Sequence, residues 1–116
     1  MASAAAVRVG IDLVDIDDVR ESLRTHGDRY LRRIYTEREI EDSRGRPERL
    51  AERFAAKEAA LKVLRRADEA IPWRAIEVNG GSLRLEGRAA QLAGDMQLAL
   101  SVSHEGPVAA AIVVAR

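Results

Sequence analysis

A chain of 116 residues that is 47% hydrophobic but only 3% aromatic supports one compact domain, residues 1–116, with a core of Ala, Val, Leu and Ile. Lys plus Arg equals Asp plus Glu at 19 each, which excludes a general nucleic-acid footprint. Cysteine is absent, no apolar run approaches the roughly 18 residues of a membrane span, and MASAAAV lacks the build of a signal peptide; a soluble, cytoplasmic protein without disulfides or a thiol nucleophile is expected.

VRVGIDLV, residues 7–14, alternates as a half-buried strand. Val7, Val9, Ile11 and Leu13 face one way, and Arg8, Gly10, Asp12 and Val14 the other. Asp15, Asp17 and Asp18 then crowd the start of a helix carrying Ile16, Val19 and Leu23, where carboxylates serve as caps and dipole partners. Gly27 ends that helix. Tyr30, Leu31 and Ile34 mark a short helical segment, and Thr36 with Glu39 has the spacing of a capping box. Arg24, Arg29, Arg32 and Arg33, followed by Arg38, Arg44, Arg46 and Arg49, read either as a docking surface for an acidic partner or as a solvated helical face.

SRGRP, residues 43–47, breaks the chain, and Pro47 falls in the first turn of a helix running to about Arg66, near 30 Å long. At its middle lies RFAAKEAALK, Arg53 to Lys62. At 100° per residue Leu50, Phe54, Leu61 and Leu64 form one apolar stripe with Lys57 inside it, and Glu58, Lys62 and Arg65 line one border. Lys57 reads as snorkelling to water along Phe54 and Leu61. Glu58 and Lys62 have the spacing of a helix-surface ion pair, or of two groups facing one ligand.

After Ile71-Pro72 the pattern turns to strands: AIEV, residues 75–78, a tight NGGS turn and LRLEG. Residues 88–94 read as a short helix. QLALSVSH, residues 97–104, and VAAAIVVAR, residues 108–116, form two apolar strands joined by EGP, with His104 at the rim.

GIDLVDI, RFAAKEAALK and SVSH, in this order and with YLRRIYTEREI before the helix and PWRAIEV after it, resemble the holo-acyl carrier protein synthases, the small class of 4′-phosphopantetheinyl transferases. The resemblance spans nearly the whole chain, and RFAAKEAALK is its most specific part. It implies an α+β fold in which a small antiparallel sheet packs against a long central helix, assembled as a homotrimer with active sites at subunit interfaces. It also implies transfer of 4′-phosphopantetheine from coenzyme A to a serine of an apo acyl carrier protein or carrier domain, releasing adenosine 3′,5′-bisphosphate, with Mg²⁺ at the pyrophosphate.

By the same resemblance Asp12 and Glu58 are the metal ligands, and Glu58 helps, through a water, to take the serine proton. Lys62 faces the phosphates, while Arg53, Lys57, Ser103 and His104 stand near the coenzyme, Arg53 or His104 on its 3′-phosphate. The chain departs from the family in three places. VLRRADEA replaces a glycine-containing segment, with Arg65 where glycine is common; NGGS shortens a loop; and Asp18-Val19 stands where the family commonly has Arg-Ile for docking the acidic carrier. The leading reading is an active transferase serving fatty-acid, polyketide or peptide synthesis. The alternatives are a non-catalytic homologue that binds coenzyme A or a carrier protein, and a structural or nucleic-acid-binding protein, which balanced charge and sparse aromatics oppose.

Overall fold

The structure, a computed structural model, describes residues 6–65 and 70–116. Arg66 and the next three residues of VLRRADEA, and the first five residues of MASAAAV, lie outside the described residues. Strand β1 (Arg8–Asp15) runs directly into α1 (Ile16–His26), whose N-cap Asp15 accepts the Asp17 N–H at 3.0 Å. Gly27, at φ 51°, closes the helix with its N–H on the Leu23 carbonyl, a backbone conformation that glycine adopts without strain. Helix α2 (Asp28–Ile34) leads to α3 (Glu37–Ser43), which opens on the complete Thr36–Glu39 capping box.

Helix α4 (Pro47–Leu64) begins with proline in its first turn and runs across the middle of the molecule. A 3₁₀ turn (Trp73–Ala75) then leads into β2 (Ile76–Asn79), which pairs with β3 (Ser82–Leu85) around Gly80 and Gly81. Helix α5 (Gly87–Ala93) precedes β4 (Leu98–Glu105) and β5 (Val108–Ala115). The strands form a three-stranded antiparallel sheet in the order β1-β5-β4 and a separate β2-β3 ribbon.

The inner face of the larger sheet is small. Ala109, Ala111, Val113 and Ala115 of β5 are buried against α4, which answers with buried Ala51, Ala55, Ala56, Ala59 and Ala60. Small side chains on both partners let strand and helix backbones come close. The closest approach is at Gly10, where a Cβ would lie 2.0 Å from the Ala59 carbonyl oxygen.

This contact decides which face of β1 is buried, a choice its alternation leaves open. Gly10 and Val14 point inward, while Val9, Ile11 and Leu13 are 53%, 56% and 67% exposed. Opposite them on the outer face stand Ile112 and Ala110 of β5, with exposed Val108 at the strand's start. Bulky aliphatic residues on β1 would hold α4 away, so the tight inward side takes the small ones and the large ones form an apolar outer surface.

Candidate functional site

The close packing of β1 on α4 sets the end of the strand against the helix. Lys62 of α4 reaches across to β1, where its Nζ donates to Asp12 Oδ1 at 3.0 Å and to the Ile11 carbonyl at 2.7 Å. The Glu58–Lys62 surface pair suggested by their spacing does not form, because Asp12 competes for the ammonium. Glu58 is half-buried and has no hydrogen bond or ion pair with any described residue. Burial raises its carboxyl above the usual carboxylate range and the nearby Asp12 charge adds to the rise, while Arg65 and Lys62 oppose it.

Asp12 and Glu58 share a cleft of about 350 Å³ with Asp15, Asp18, Tyr30 and Phe54. Four carboxylates thus surround one space. The donor set fits a hard cation, for it offers charged oxygen, one ligand of it unpaired, and no sulfur. No group of three or more His, Cys, Asp or Glu side chains suited to a metal occurs among the described residues. A cation held by Asp12 and Glu58 therefore completes its shell with water or ligand oxygens, the habit of Mg²⁺ at phosphates.

Lys57 corrects the sequence reading. It does not snorkel and does not line this cleft; it is fully buried. Its Nζ pairs with Glu39 Oε1 at 2.7 Å and donates to the carbonyls of Trp73, at 3.1 Å, and Ile76. Glu39 in turn accepts the backbone N–H groups of Thr36 and Val78, each at 2.8 Å. Burial pushes the Lys57 ammonium down and Glu39 pulls it back up. The physical reason for the burial is that this carboxylate and two carbonyls together satisfy all three ammonium donors, which water does not need to do. Lys57 thus clamps α3, α4 and the start of β2, with no surface to offer a coenzyme.

Arg53 and His104 lie on the other flank of α4, towards β4. His104 Nδ1 is 3.2 Å from Glu52 Oε2. A cleft of about 310 Å³ opens beside them, lined by Arg49, Glu52, Arg53, Val78, Gly80 and Val102. Arg53 Nη1 donates to the Arg49 carbonyl at 3.1 Å, and its buried Nε has no partner. Ser103 is exposed on the outer face of the sheet, opposite Ala110. One chain therefore gathers Asp12, Glu58 and Lys62, and gathers Arg53 with His104, but keeps the two groups apart.

A third cleft, of about 330 Å³, lies beside the carboxylate cleft and shares Tyr30 with it; His26, Arg29, Arg33 and Trp73 are also in its wall. Arg20, Arg24 and Arg32 are held in ion pairs with Asp17, Glu21 and Glu37, whereas Arg29 and Arg33 have no such partner among the described residues. Sequence reasoning missed Glu52, Tyr30 and Phe54 as parts of these sites, and Gly10 as the residue that sets their geometry. Only Gly10 carried a signal, a glycine inside a strand.

Residues 8–113 match the 4′-phosphopantetheinyl transferase superfamily. The chain is 46% identical to the holo-[acyl-carrier-protein] synthase of Frankia alni, over 96% of this chain and 98% of that one. The solved complex of the Chronobacterium ammoniagenes synthase with CoA superposes at a TM-score of 0.82, with 31% identity over 97% and 98% of the two chains. The acyl carrier protein synthase of Mycobacterium tuberculosis superposes at 0.76, with 34% identity over 93% and 95%. With a long helix packed on a small antiparallel sheet and a carboxylate pair where the two meet, the chain belongs to the holo-acyl carrier protein synthases of the 4′-phosphopantetheinyl transferase superfamily.

Proposed function

We propose that this enzyme transfers 4′-phosphopantetheine from coenzyme A to a serine of an apo acyl carrier protein, depends on Mg²⁺, and releases adenosine 3′,5′-bisphosphate. The observation that carries the reading is the half-buried Glu58, without a partner among the described residues, in one cleft with Asp12, which Lys62 holds from α4. Asp12 and Glu58 would hold Mg²⁺, which when bound lends positive charge to the pyrophosphate oxygens.

The chain's own residues divide the remaining work. Glu58, its carboxyl raised by burial, is suited to accept the proton of the serine hydroxyl through a water. The serine oxygen then bonds to the phosphorus bearing pantetheine, and the bond from that phosphorus to the bridging oxygen breaks. Lys62, whose side chain is 52% exposed, can turn from Asp12 towards the leaving phosphate, where an ammonium stabilises the charge that develops. Arg53 and His104 are proposed for the 3′-phosphate, Arg53 with a buried donor still free. Ser103 is proposed for the same coenzyme pocket from its exposed place on β4.

Because the two groups lie apart in one chain, we assign a complete site to two neighbouring chains of a homotrimer. The apolar outer face of Val9, Ile11, Leu13, Val108 and Ile112 supports that assembly. The arginine cleft that shares Tyr30 with the carboxylate cleft supports docking of an acidic carrier beside Glu58.

Intact mass after incubation with coenzyme A, Mg²⁺ and a panel of apo carrier proteins tests the reading. The expected result is the gain of one phosphopantetheine on at least one carrier. No gain on any carrier, despite measurable coenzyme A binding, would make the protein a binding homologue instead.

A further inference from the structure

We propose that Arg65 is a substrate-contacting residue of this site and binds the pyrophosphate of coenzyme A beside Glu58; the proposal rests on the transferase reading above. Glu58, Lys62 and Arg65 stand at i, i+4 and i+7 at the end of α4, a spacing that sets three side chains in one row. Within that row Lys62 must leave Asp12 and the Ile11 carbonyl before it can reach a phosphate. Arg65 is exposed, and its guanidinium has no hydrogen bond or ion pair with any described residue. Only its backbone is held, the N–H donating to the Leu61 carbonyl at 2.7 Å.

Two further facts point the same way. The C-terminal end of a helix presents carbonyl oxygens, the negative end of its dipole, and so repels an anion unless a side chain supplies positive charge. The cleft that Glu58 lines already holds four carboxylates, and a phosphate entering it needs positive charge beside them. Arg65, in one row with Glu58, meets that need. A guanidinium also offers paired donors that match two phosphate oxygens at once, which an ammonium cannot do.

The test is titration calorimetry in Mg²⁺ of coenzyme A and of dephospho-coenzyme A, which lacks the 3′-phosphate but keeps the pyrophosphate. Arg65→Ala is expected to weaken both ligands by the same factor, about tenfold, and Arg65→Lys to recover part of the loss. Arg53→Ala, in contrast, is expected to weaken coenzyme A alone. Wild-type affinities in Arg65→Ala, or tighter binding by Arg65→Gly, would overturn the Arg65 assignment while leaving the transferase reading intact. A loss confined to coenzyme A would overturn it too, by placing Arg65 on the 3′-phosphate. Wild-type protein that binds neither ligand would overturn the transferase reading, and the assignment with it.

Discussion

Replacing Lys57 with Met should destabilise the fold more than any change at the surface of the site. Methionine keeps most of the apolar stem but removes the ammonium that serves Glu39, Trp73 and Ile76. Glu39, itself fully buried, is then left with the N–H groups of Thr36 and Val78 as its donors. Breaking a buried pair from one side costs about 3–5 kcal/mol. At about 4 °C per kcal/mol for a domain of this length, the midpoint of thermal unfolding should fall by about 12–20 °C. Scanning calorimetry reads the shift, with all variants at one protein concentration so that assembly contributes equally. Adding Glu39→Gln to Lys57→Met removes the stranded charge and should restore at least about 1 kcal/mol. A single variant within about 1 kcal/mol of wild type, or a double variant no more stable than the single, would refute the account of this pair.

Other perturbations reach the site by different routes. Gly10→Ala sets a methyl group against the Ala59 carbonyl at a distance no real contact allows; β1 must shift, and a loss of about 1–3 kcal/mol with weakened metal binding is expected from urea melts and calorimetry. Glu58→Gln should abolish most turnover yet leave the metal-free protein as stable or more stable at neutral pH. A carboxyl raised in the folded chain holds its proton longer there, so its stabilising effect exists at low pH and is lost as pH rises through the raised value. Denaturant melts in chelator should therefore show the two proteins diverging as pH rises, and parallel curves would reject the shift. Asp18→Arg, at an exposed position in the cleft wall, should lower KM for a generic fatty-acid carrier, with a gain that shrinks as salt rises. Ile11→Asp, in the middle of the apolar outer face, should convert the assembly to monomer in sedimentation velocity, and an unchanged mass would place the subunit interface elsewhere.

Local chemistry was legible in the sequence wherever neighbours along the chain decide the outcome. Gly27 closing a helix, Thr36 and Glu39 forming a capping box, Pro47 opening α4 and Gly80-Gly81 turning a hairpin all depend on residues within a few positions. Partners across the fold were not legible. Glu39 reads as a cap and is one, but its carboxylate also bonds Val78, 39 residues away, and neutralises Lys57. The alternation of β1 was legible but its inward side was not, since Gly10 and not the aliphatic row meets Ala59. Asp12, Glu58 and Lys62 were brought forward by the resemblance, and spacing alone left Lys62 equally suited to Glu58; the strand contact that gives it to Asp12 spans 50 residues.

Helix α4 carries Glu58 and Lys62 on one flank and Glu52 and Arg53 on the other. In the proposed trimer no chain owns a whole site, because one flank works with the opposite flank of a neighbour. A chain ruined on one side remains a competent lender of the other. Two impaired forms, Glu58→Gln and Arg53→Ala, would then regenerate working sites when assembled together, and in a randomly mixed ring about one junction in four joins two intact flanks. Lesions in this single helix would sort, in genetic terms, into two groups that complement across groups and fail to complement within them.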